Sequence, residues 1–583
     1  MRIDIQNKLK ISLSLMGTSA LYSLFLAEKE SIFLFIFAAT AIWTATFWRK
    51  TAEYIGEEGF LSKVFPYICL IFVCIDYFYI SKKFALSLSH FLILYVIYLY
   101  FNRSEEKKIW QIYLASFLIV AVSASITDSF YFSIVFAVYL VSTIYSLILF
   151  RICSDGIKKT LKAFSFTQKE ECNLETFPLN VKKNNFSFVV ITALSVTLFF
   201  SVFFFIFLPR IGLGFMLSRL GTASAVAGFS EESRLGSIGE VLENRAVVMR
   251  IKTDKRISES EIRLRGIAYD LFRDNKWERS KMFNRYYKRS YFGKIEFANS
   301  KYLNDKSVIR QNISLSLSGS DAMFSLYRPV SLSNISGGYG GIIADNSLSL
   351  FTPWPHYYLI NYDVVSKMDN LLPAKKLSDI EKHHYLDLQG INREIKKLAS
   401  YIAEKGRNSY EKAILIRNYL LNNFQYTRKN ELFDEDDPLY AFLFKTKKGH
   451  CEYFATALTI MCRAAGIPAR YVNGFYGAEW NSYGKYYIVR QENAHAWTEI
   501  YLPEKGGWIY LDATPPINEN TFKNIYSSIN LFIDNLKMRW GEYVVGYDLN
   551  MQFKAAQKLN FKAFHWIGNI KKGIKENILR KVE

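Results

Sequence analysis

The sequence predicts a multi-helix transmembrane domain followed by an α+β part that opens with an all-β unit. Three observations predict this organisation. Long runs with few charges fill the first 208 residues, short β-branched and aromatic segments recur over 245–365, and a helical period takes over near residue 390. The chain has 583 residues, of which 50% are hydrophobic and 22% are charged. Because this length exceeds one hydrophobic core, an apolar part and a soluble part are expected to coexist.

The first 208 residues contain seven runs that carry few or no charges. Each is close to the roughly 20 residues that a helix needs to cross about 30 Å of hydrocarbon. We therefore predict about seven transmembrane helices, and further spans follow the first at once, which disfavours a cleaved signal peptide. The runs are 11–27, 31–48, 64–80, 84–101, 109–127, 130–150 and 186–208.

Two polar residues lie inside these runs. Asp76 and His90 would be functional intramembrane groups on one interpretation. On the other, which we favour, each lies near a helix end or is buried between helices.

The charge pattern predicts how the chain meets the membrane. The net charge is +20, which in a soluble protein would favour nucleic-acid binding. Here many lysines and arginines lie beside the apolar runs, so the lipid bilayer is the expected partner and nucleic acid is not. The basic N-terminus and the basic loops 49–63, 102–108 and 151–185 are predicted to be cytoplasmic. Seven spans that start in the cytoplasm place everything after Leu208 on the extracytoplasmic side of the membrane.

The residues after 208 divide into two regions that differ in the spacing of their apolar residues. The segments AVVMRI, IRLRGIAYDLF and YYLINYDVV are predicted strands of the all-β unit. Residues 390–424 instead carry apolar stripes at helical spacing, which predicts two helices. Six cysteines in a chain of this length provide no disulfide framework.

A cysteine begins an apolar helical pattern in GHCEYFATALTIMCRAAGIP. Gly466 and Pro468 predict where this helix ends, so Cys451 is expected at its N-terminus. There the unpaired amides and the positive dipole end favour a thiolate and could hold an oxyanion. The alternative interpretation is that Cys451 is only a small buried side chain without a chemical role. Cys462 lies about 16 Å further along the helix and is interpreted as a core residue.

A nucleophilic thiol needs a base and a carboxylate to orient that base. His495 and Asp512 are predicted to lie on two strands of one hairpin. They share a face only if the loop has an even number of residues or a bulge corrects the register. Spacing alone therefore leaves the constellation of Cys451, His495 and Asp512 as one interpretation among several.

The other histidines fit these roles less well. His450 directly precedes Cys451, and adjacent side chains diverge at a helix start, so a surface or substrate-side role is expected. His383 and His384 lie in a polar helical stretch and are expected to be solvated. No second ligand pair stands at zinc spacing, and the DEDD segment at 434–437 reads as a solvated loop. We therefore expect no metal and no cofactor.

Four segments within 449–516 resemble the transglutaminase-like, papain-like cysteine superfamily. They are GHCEYFATAL, AAGIPARYVNGF, NAHAWTEIYL and GWIYLDATPP. Upstream, GFSEESRLGSIGEVLENRAVVMRI and IRLRGIAYDLFRDNKW resemble the outer β region of the membrane-bound bacterial transglutaminases, the TgpA-like proteins.

The resemblance implies a division of the chain into four regions. Residues 1–208 would be the transmembrane domain and 209–370 an extracytoplasmic β-rich region. Residues 371–520 would be a papain-like transglutaminase core, and 521–583 a helical basic tail. Related proteins commonly continue into a further membrane helix and a cytoplasmic domain. The last 23 residues of this chain hold no span, and we expect a surface-lying amphipathic helix or a solvated tail.

The resemblance also implies roles for individual residues. Cys451 would be the nucleophile, His495 the general base and acid, and Asp512 the orienting carboxylate. The backbone amide of Cys451 would be one oxyanion donor, and Gln425 or Tyr426 is a candidate for the second. Trp497 would cover the imidazole or pack in the sheet, whereas Glu452 and Glu499 are expected to be structural.

The implied activity is acyl transfer from glutamine side chains of proteins or peptides in the cell envelope, at a bacterial cytoplasmic membrane. Two alternatives stay open. A cysteine peptidase, amidase or deamidase would use the same three residues with water as the acceptor, and a membrane scaffold would carry them without activity.

Overall fold

A computed structural model of the protein divides the chain into two compact units, Met1–Gly221 with Leu536–Glu583, and Thr222–Asn535. The described residues are 2–28, 32–48, 60–80, 84–101, 106–127, 129–164, 188, 191–197, 199, 229–237, 244–280, 285–288, 294–297, 307–316, 319–336, 341–356, 359–368, 371–374, 376–428, 435–516 and 526–545. The predicted tail segment 561–583 and most of the predicted span 186–208 lie outside these ranges.

Helices make up the described part of the first unit. A π-helical stretch, Asp76–Ile80, extends the third of them. The helices are α1 (Arg2–Glu28), α2 (Ile32–Phe47), α3 (Phe60–Ile75), α4 (Phe84–Phe101), α5 (Glu106–Ile126) and α6 (Phe130–Phe164). They coincide with the first six predicted spans.

Three of the described helices are long and apolar enough to cross a membrane. These stretches are Asn7–Ala27, Lys107–Ala124 and Phe130–Cys153. Three shorter apolar stretches, Ile32–Phe47, Tyr67–Tyr79 and His90–Phe101, accompany them. The N-terminal helical region therefore carries three candidate spans, and the predicted count of seven stays a prediction.

Close packing of α1 against α4 depends on a small residue. A Cβ atom added at Gly17 would lie 2.6 Å from the Tyr100 hydroxyl oxygen. That hydroxyl donates a hydrogen bond to the Leu13 carbonyl oxygen. Small residues at helix contacts and hydroxyl donors between helices are typical of membrane bundles.

The two polar residues of the predicted spans contact each other. His90 Nδ1 lies 3.0 Å from Asp76 Oδ2, and Asp76 is only 1% exposed. Burial between helices is what the packing interpretation predicts for this pair.

Strands dominate the second unit, and many of them are short. The predicted segments AVVMRI, IRLRGIAYDLF and YYLINYDVV correspond to β2, to β3 with β4, and to β14. The strands are β1 (Glu232–Arg234), β2 (Val247–Thr253), β3 (Arg263–Tyr269), β4 (Leu271–Arg273), β5 (Lys276–Glu278), β6 (Arg285–Lys288), β7 (Lys294–Glu296), β8 (Val308–Leu315), β9 (Ser320–Met323), β10 (Ser325–Leu326), β11 (Arg328–Ser333), β12 (Gly341–Ala344), β13 (Leu350–His356), β14 (Ile360–Lys367), β15 (Leu371–Pro373), β16 (Gln425–Tyr426), β17 (Lys448–Gly449), β18 (Ala469–Tyr476), β19 (Glu479–Asn481), β20 (Tyr486–Arg490), β21 (Ala494–Leu502) and β22 (Gly507–Leu511).

Two large sheets join the predicted β-rich region to the predicted core. The first has the strand order β10-β3-β18-β21-β22-β15, and the second has the order β19-β20-β2-β8-β14-β11-β7. In both sheets a strand from before residue 370 pairs directly with a strand from after residue 450. The described parts of the regions 209–370 and 371–520 therefore share sheets, and both lie in the unit Thr222–Asn535.

The second unit contains one long buried helix among the six helices described there. They are α7 (Asp379–His384), α8 (Arg393–Ala403), α9 (Ser409–Asn423), α10 (Pro438–Tyr440), α11 (Cys451–Ala464) and α12 (Tyr526–Trp540), the last of which continues past the boundary of the unit. All residues of α11 from Cys451 to Arg463 are buried. The helix contacts α8, α9, β18 and β21, so the first sheet and two helices enclose it.

A buried ion cluster ties β3, β18 and β21 together. Glu499 accepts hydrogen bonds from Arg265 Nε at 2.8 Å and from Arg470 Nε at 2.6 Å. All three side chains are at most 5% exposed. Burial alone would raise the pKa of Glu499, but the two guanidinium groups lower it from 4.5 to about 2. The stabilisation is therefore present above pH 4.5 and is lost as the pH falls towards 2.

We expect Glu499→Gln to lower the free energy of unfolding by about 3–5 kcal/mol, because two buried guanidinium groups lose their only anionic partner in the cluster. Thermal unfolding of the full chain in detergent measures the loss. Glu492→Gln is the matched control, since Glu492 pairs with Arg245, which is 84% exposed, and such pairs contribute about 1 kcal/mol or less. Equal unfolding temperatures for the two variants would contradict the structural role of Glu499.

Candidate functional site

Helix α11 begins at Cys451, as the sequence predicts. His450 is the N-cap residue, and its backbone is extended. Gly449 precedes it in a tight space, where an added Cβ would lie 3.0 Å from the Tyr453 ring and 3.1 Å from the Phe442 ring. The thiol therefore lies among the first unpaired amides of a helix, where a negative charge on sulfur or on a bound oxyanion is favoured.

The β21–β22 hairpin brings His495 and Asp512 together. Four residues, 503–506, connect the strands, and Gly506 adopts a positive φ of 70°. The register pairs Thr498 with Leu511, which places Asp512 diagonally across from His495 on the same face. His495 Nε2 lies 2.8 Å from Asp512 Oδ2. The loop is thus even-numbered, and the geometric condition set by the sequence is met without a bulge.

The thiol of Cys451 completes this arrangement. The Cys451 side chain interacts electrostatically with His495, whose Nε2 lies 2.8 Å from Asp512 Oδ2. Burial acts to lower the pKa of His495, but the Asp512 carboxylate and the thiol outweigh burial and raise that pKa from 6.5 to about 10. Burial acts to raise the pKa of Asp512, but the imidazolium lowers it to about 2. At neutral pH the imidazole is therefore protonated and the carboxylate is ionised.

The candidate nucleophile, Cys451, is enclosed. Cys451 has no solvent exposure, whereas the side chains of His495 and Asp512 are 12% and 19% exposed. A substrate carbonyl therefore reaches the sulfur only after neighbouring side chains move. Such enclosure limits access of water to the reacting atoms.

Three further groups hold Asp512 in place. The Tyr510 hydroxyl donates to Asp512 Oδ2 at 2.9 Å, and the Thr514 amide donates to Oδ1 at 2.8 Å. Arg417 Nε donates to the Asp512 backbone carbonyl oxygen at 2.7 Å. Burial and the adjacent carboxylate raise the pKa of Tyr510 well above its usual range, so its hydroxyl remains a donor. Tyr510 and Asp512 are two residues apart, and the alternation of side chains along a strand is the sequence signal that places them on one face.

Tyr510→Phe removes the hydroxyl and keeps the ring. We expect kcat/KM to fall about tenfold, because Asp512 loses one of the donors that orient it and one hydrogen bond to a charged group contributes about 1.5–3 kcal/mol. Tyr501→Phe in the neighbouring strand is the control. Unchanged kcat/KM in Tyr510→Phe, measured with the full chain, would show that the remaining partners suffice to orient Asp512.

Trp497 packs in the sheet beside the imidazole. Its ring centroid lies 6.4 Å from that of His495 at an interplanar angle of 27°, and the residue is 2% exposed. The ring also passes over Gly474, where an added Cβ would lie 2.5 Å from the indole. Both roles considered for Trp497, covering the imidazole and packing in the sheet, are consistent with this position.

The oxyanion candidates lie next to the turn that leads to Cys451. Gln425 and Tyr426 form β16, which pairs in parallel with Lys448 and Gly449 of β17. Gln425 is exposed and Tyr426 is half-buried. Their role as the second oxyanion donor stays a prediction.

Two protein families match the sequence of this chain. Residues 396–513 match the Transglutaminase-like superfamily, and residues 13–373, more than half of the chain, match the TgpA N-terminal domain. The chain belongs to the TgpA N-terminal domain family. It is a membrane protein of the transglutaminase-like superfamily that is related to TgpA.

Individual relatives match shorter stretches. Over 170 residues the chain is 32% identical to "Uncharacterized protein YebA" of Bacillus subtilis, which covers 27% of this chain and 23% of that protein. Over 102 residues it is 42% identical to "Protein-glutamine gamma-glutamyltransferase" of Pseudomonas aeruginosa, which covers 18% of this chain and 15% of that protein. Each alignment thus spans less than a quarter of the relative's length.

A solved structure also resembles this member of the TgpA N-terminal domain family. The crystal structure of the periplasmic domain of TgpA from Pseudomonas aeruginosa aligns with a TM-score of 0.42 and 23% identity. The alignment covers 49% of this chain and 94% of that chain.

Two expectations about histidines are wrong. His450 has no exposed surface, and neither of its ring nitrogens has a hydrogen-bond partner in the described part of the chain. Burial lowers its pKa to about 3, so it is neutral. His384 is not solvated either, because its Nε2 lies 2.8 Å from Asp270 Oδ2, whereas His383 is exposed as expected. The divergence of adjacent side chains at a helix start predicted a surface position for His450, but aromatic packing buries it. The polar stretch predicted a solvated His384, but a distant carboxylate binds it.

The expected structural residues lie in the interior. Cys462 has no exposure, and burial raises the pKa of its thiol far above the usual range. Glu452 is 1% exposed and accepts hydrogen bonds from the Gly236 amide at 2.9 Å and from the Ser233 hydroxyl at 3.4 Å. This carboxylate fixes the segment around β1 to the first turn of α11.

Candidate metal ligands do not cluster in the described part of the chain. No group of three or more histidine, cysteine, aspartate or glutamate residues there is arranged to hold an ion. Within the DEDD segment, Asp437 caps α10 and Glu435 pairs with Lys445 at 3.0 Å. That the protein works without a cofactor stays a prediction.

Proposed function

We propose that the protein is a membrane-anchored acyltransferase that acts on glutamine side chains of proteins or peptides outside the cytoplasm. One observation carries the proposal: the thiol at the N-terminus of α11 interacts electrostatically with His495, and Nε2 of the same imidazole lies 2.8 Å from the Asp512 carboxylate. This is the arrangement of an activated cysteine nucleophile with an oriented base. The match to the Transglutaminase-like superfamily and the name of the Pseudomonas relative support glutamine as the acyl donor.

In the first step the Cys451 sulfur attacks the carbon of the glutamine side-chain amide. A sulfur–carbon bond forms, and the carbon–nitrogen bond breaks after the tetrahedral intermediate. The imidazolium of His495 donates its proton to the departing nitrogen, which leaves as ammonia. The amide of Cys451 lies where an oxyanion would develop. Because Nε2 faces Asp512, Nδ1 is the nitrogen available to exchange this proton.

In the second step a primary amine attacks the thioester. His495, now neutral, accepts a proton from the amine, and the carbon–sulfur bond breaks to regenerate the thiolate. Water in place of the amine would give glutamate, so exclusion of water decides between transfer and hydrolysis.

The charge pattern of the first 208 residues supports a reaction outside the cytoplasm. Seven spans that start in the cytoplasm would place the second unit on the extracytoplasmic side of the membrane. Substrates would then be proteins or peptides of the cell envelope.

The test follows ammonia release from a glutamine peptide by the full chain in detergent, with and without a primary amine. Amine incorporation together with ammonia release is the expected result. Ammonia release without incorporation would assign a deamidase, and cleavage of the peptide backbone would assign a peptidase. If no product forms with a range of glutamine peptides, the scaffold alternative replaces the proposal.

A further inference from the structure

We propose that Arg263, stacked between Tyr510 and Tyr476, forms a subsite that binds a carboxylate of the substrate beside the catalytic constellation. The inference rests on the proposed function, because it adds a specificity to that same site. It concerns a group that the acyl-transfer steps do not use.

The guanidinium group lies against two tyrosine rings. Arg263 Cζ is 3.5 Å from the ring centroid of Tyr510 and 5.5 Å from that of Tyr476. Tyr510 donates to Asp512, and the Tyr476 ring centroid is 5.4 Å from that of His495. The Tyr476 ring therefore lies between the guanidinium and His495, and the Tyr510 ring lies between the guanidinium and Asp512.

The strands explain why this cluster forms at the end of the first sheet. Arg263 begins β3 and pairs directly with Tyr476, which ends β18. In the same sheet, β21 separates β18 from β22, so His495 and Tyr510 follow in turn. The side chains of Arg263 and Tyr510 extend towards each other over the strands between them and meet there.

Arg263 forms no direct ion pair among the described residues, and the Tyr510 ring separates it from the Asp512 carboxylate. Within the same residues, the buried Nε of Arg263 has no hydrogen-bond partner. Arg265, two residues on, shows the contrast, because it pairs with Glu499 in the buried cluster. A guanidinium that stacks on aromatic rings and retains free donors is suited to bind a planar anion through two parallel hydrogen bonds.

A carboxylate is the ligand that best fits this site. A single planar guanidinium matches the two oxygens of one carboxylate, and Tyr476, which is 39% exposed, leaves a side of the cluster open to a ligand. The carboxylate would come from an acidic residue next to the reacting glutamine or from the acyl acceptor. Both sources supply the same chemistry, and separate arms of one experiment distinguish them.

The experiment compares kcat/KM for matched substrates with the full chain in detergent. The donor arm uses glutamine peptides that carry aspartate or asparagine beside the glutamine. The acceptor arm uses 6-aminohexanoate and hexylamine. In one arm we expect the wild type to have a kcat/KM about tenfold or more higher for the substrate with a carboxylate, which is the aspartate peptide or 6-aminohexanoate. One hydrogen-bonded ion pair allows a preference of this size. Arg263→Met is expected to reduce that preference to less than about twofold.

Two further variants make the comparison specific. Arg256→Met is the control, since Arg256 stacks on Trp480 at 5.0 Å, where no residue of the constellation takes part, and it should retain the preference. Arg263→Gln keeps a planar side chain and replaces Arg263→Met if that variant does not fold. A wild type without preference in either arm, or a preference that survives loss of Arg263, would overturn the subsite.

A labelling measurement separates failure of the subsite from failure of the proposed function. Iodoacetate carries a carboxylate and iodoacetamide does not, and both alkylate a thiolate. The ratio of their rates at Cys451, followed by mass spectrometry, is expected to fall about tenfold in Arg263→Met but not in Arg256→Met. If no glutamine peptide reacts, a fall in this ratio still supports the subsite. An unchanged ratio overturns it, whether or not acyl transfer is found.

Discussion

Cys451→Ala will lower the rate of amine incorporation by a factor on the order of 10⁴ or more, because the variant lacks the atom that forms the thioester. The loss should appear in kcat/KM and in kcat alike, since the missing bond forms during the chemical step. The rate of incorporation of a labelled primary amine into a glutamine peptide measures it. The side chain removed is small and fully buried, so the variant is expected to fold.

Cys462→Ala is the matched control for loss of a cysteine from the same helix. Cys462 is equally buried, but burial raises the pKa of its thiol and keeps it protonated. We expect this variant to retain activity and to lose only stability, by about 1–2 kcal/mol for the small cavity. If Cys451→Ala retained activity, or if Cys462→Ala lost as much as Cys451→Ala, the assignment of the nucleophile would be wrong.

Asp512→Ala will lower kcat/KM by about 10²–10⁴-fold, because His495 then lacks the group that orients its ring and favours its protonated form. The pH dependence distinguishes these two contributions. In the wild type the alkaline limb of kcat/KM should lie near pH 10, where His495 loses its proton. The raised pKa means that the protonated imidazole is present at neutral pH and is lost as the pH rises through about 10.

Asp512→Asn keeps a hydrogen-bond acceptor for His495 and removes only the charge. Without the carboxylate, burial is the larger influence left on the imidazole, and burial lowers its pKa. We expect the alkaline limb to move down by about one pH unit or more, with a smaller loss of kcat/KM at neutral pH than in Asp512→Ala. Asp254→Asn, at an exposed pair with Arg310, is the control. An alkaline limb that stays in place in Asp512→Asn would refute the assigned role of the carboxylate.

Local patterns predicted the features that depend on neighbouring residues. The start of α11 at Cys451 follows from an apolar helical pattern and the glycines that flank it. The closeness of His495 and Asp512 follows from a short hairpin, whose four-residue loop fixes which side chains share a face. In both cases the interacting residues lie on one element or on two consecutive elements.

Features that depend on distant strands were not predictable in this way. The pairing of β3 with β18 joins the predicted β-rich region to the predicted core, and no periodicity within either segment encodes that partner. The stack of Arg263 on Tyr510 depends on the same pairing. The burial of His450 also depends on tertiary packing, since polar composition alone predicts an exposed residue.

The most direct test of the account is to look for the acyl-enzyme itself. The full chain is mixed with a glutamine peptide in the absence of an amine, quenched with acid and examined by intact-mass and peptide mass spectrometry. The thioester mechanism predicts an adduct with the mass of the peptide less one ammonia, located on the fragment that contains Cys451. The adduct should disappear when a primary amine is added, and Cys451→Ala should not form it. Release of ammonia or incorporation of amine without any such adduct at Cys451 would contradict the proposed thioester mechanism.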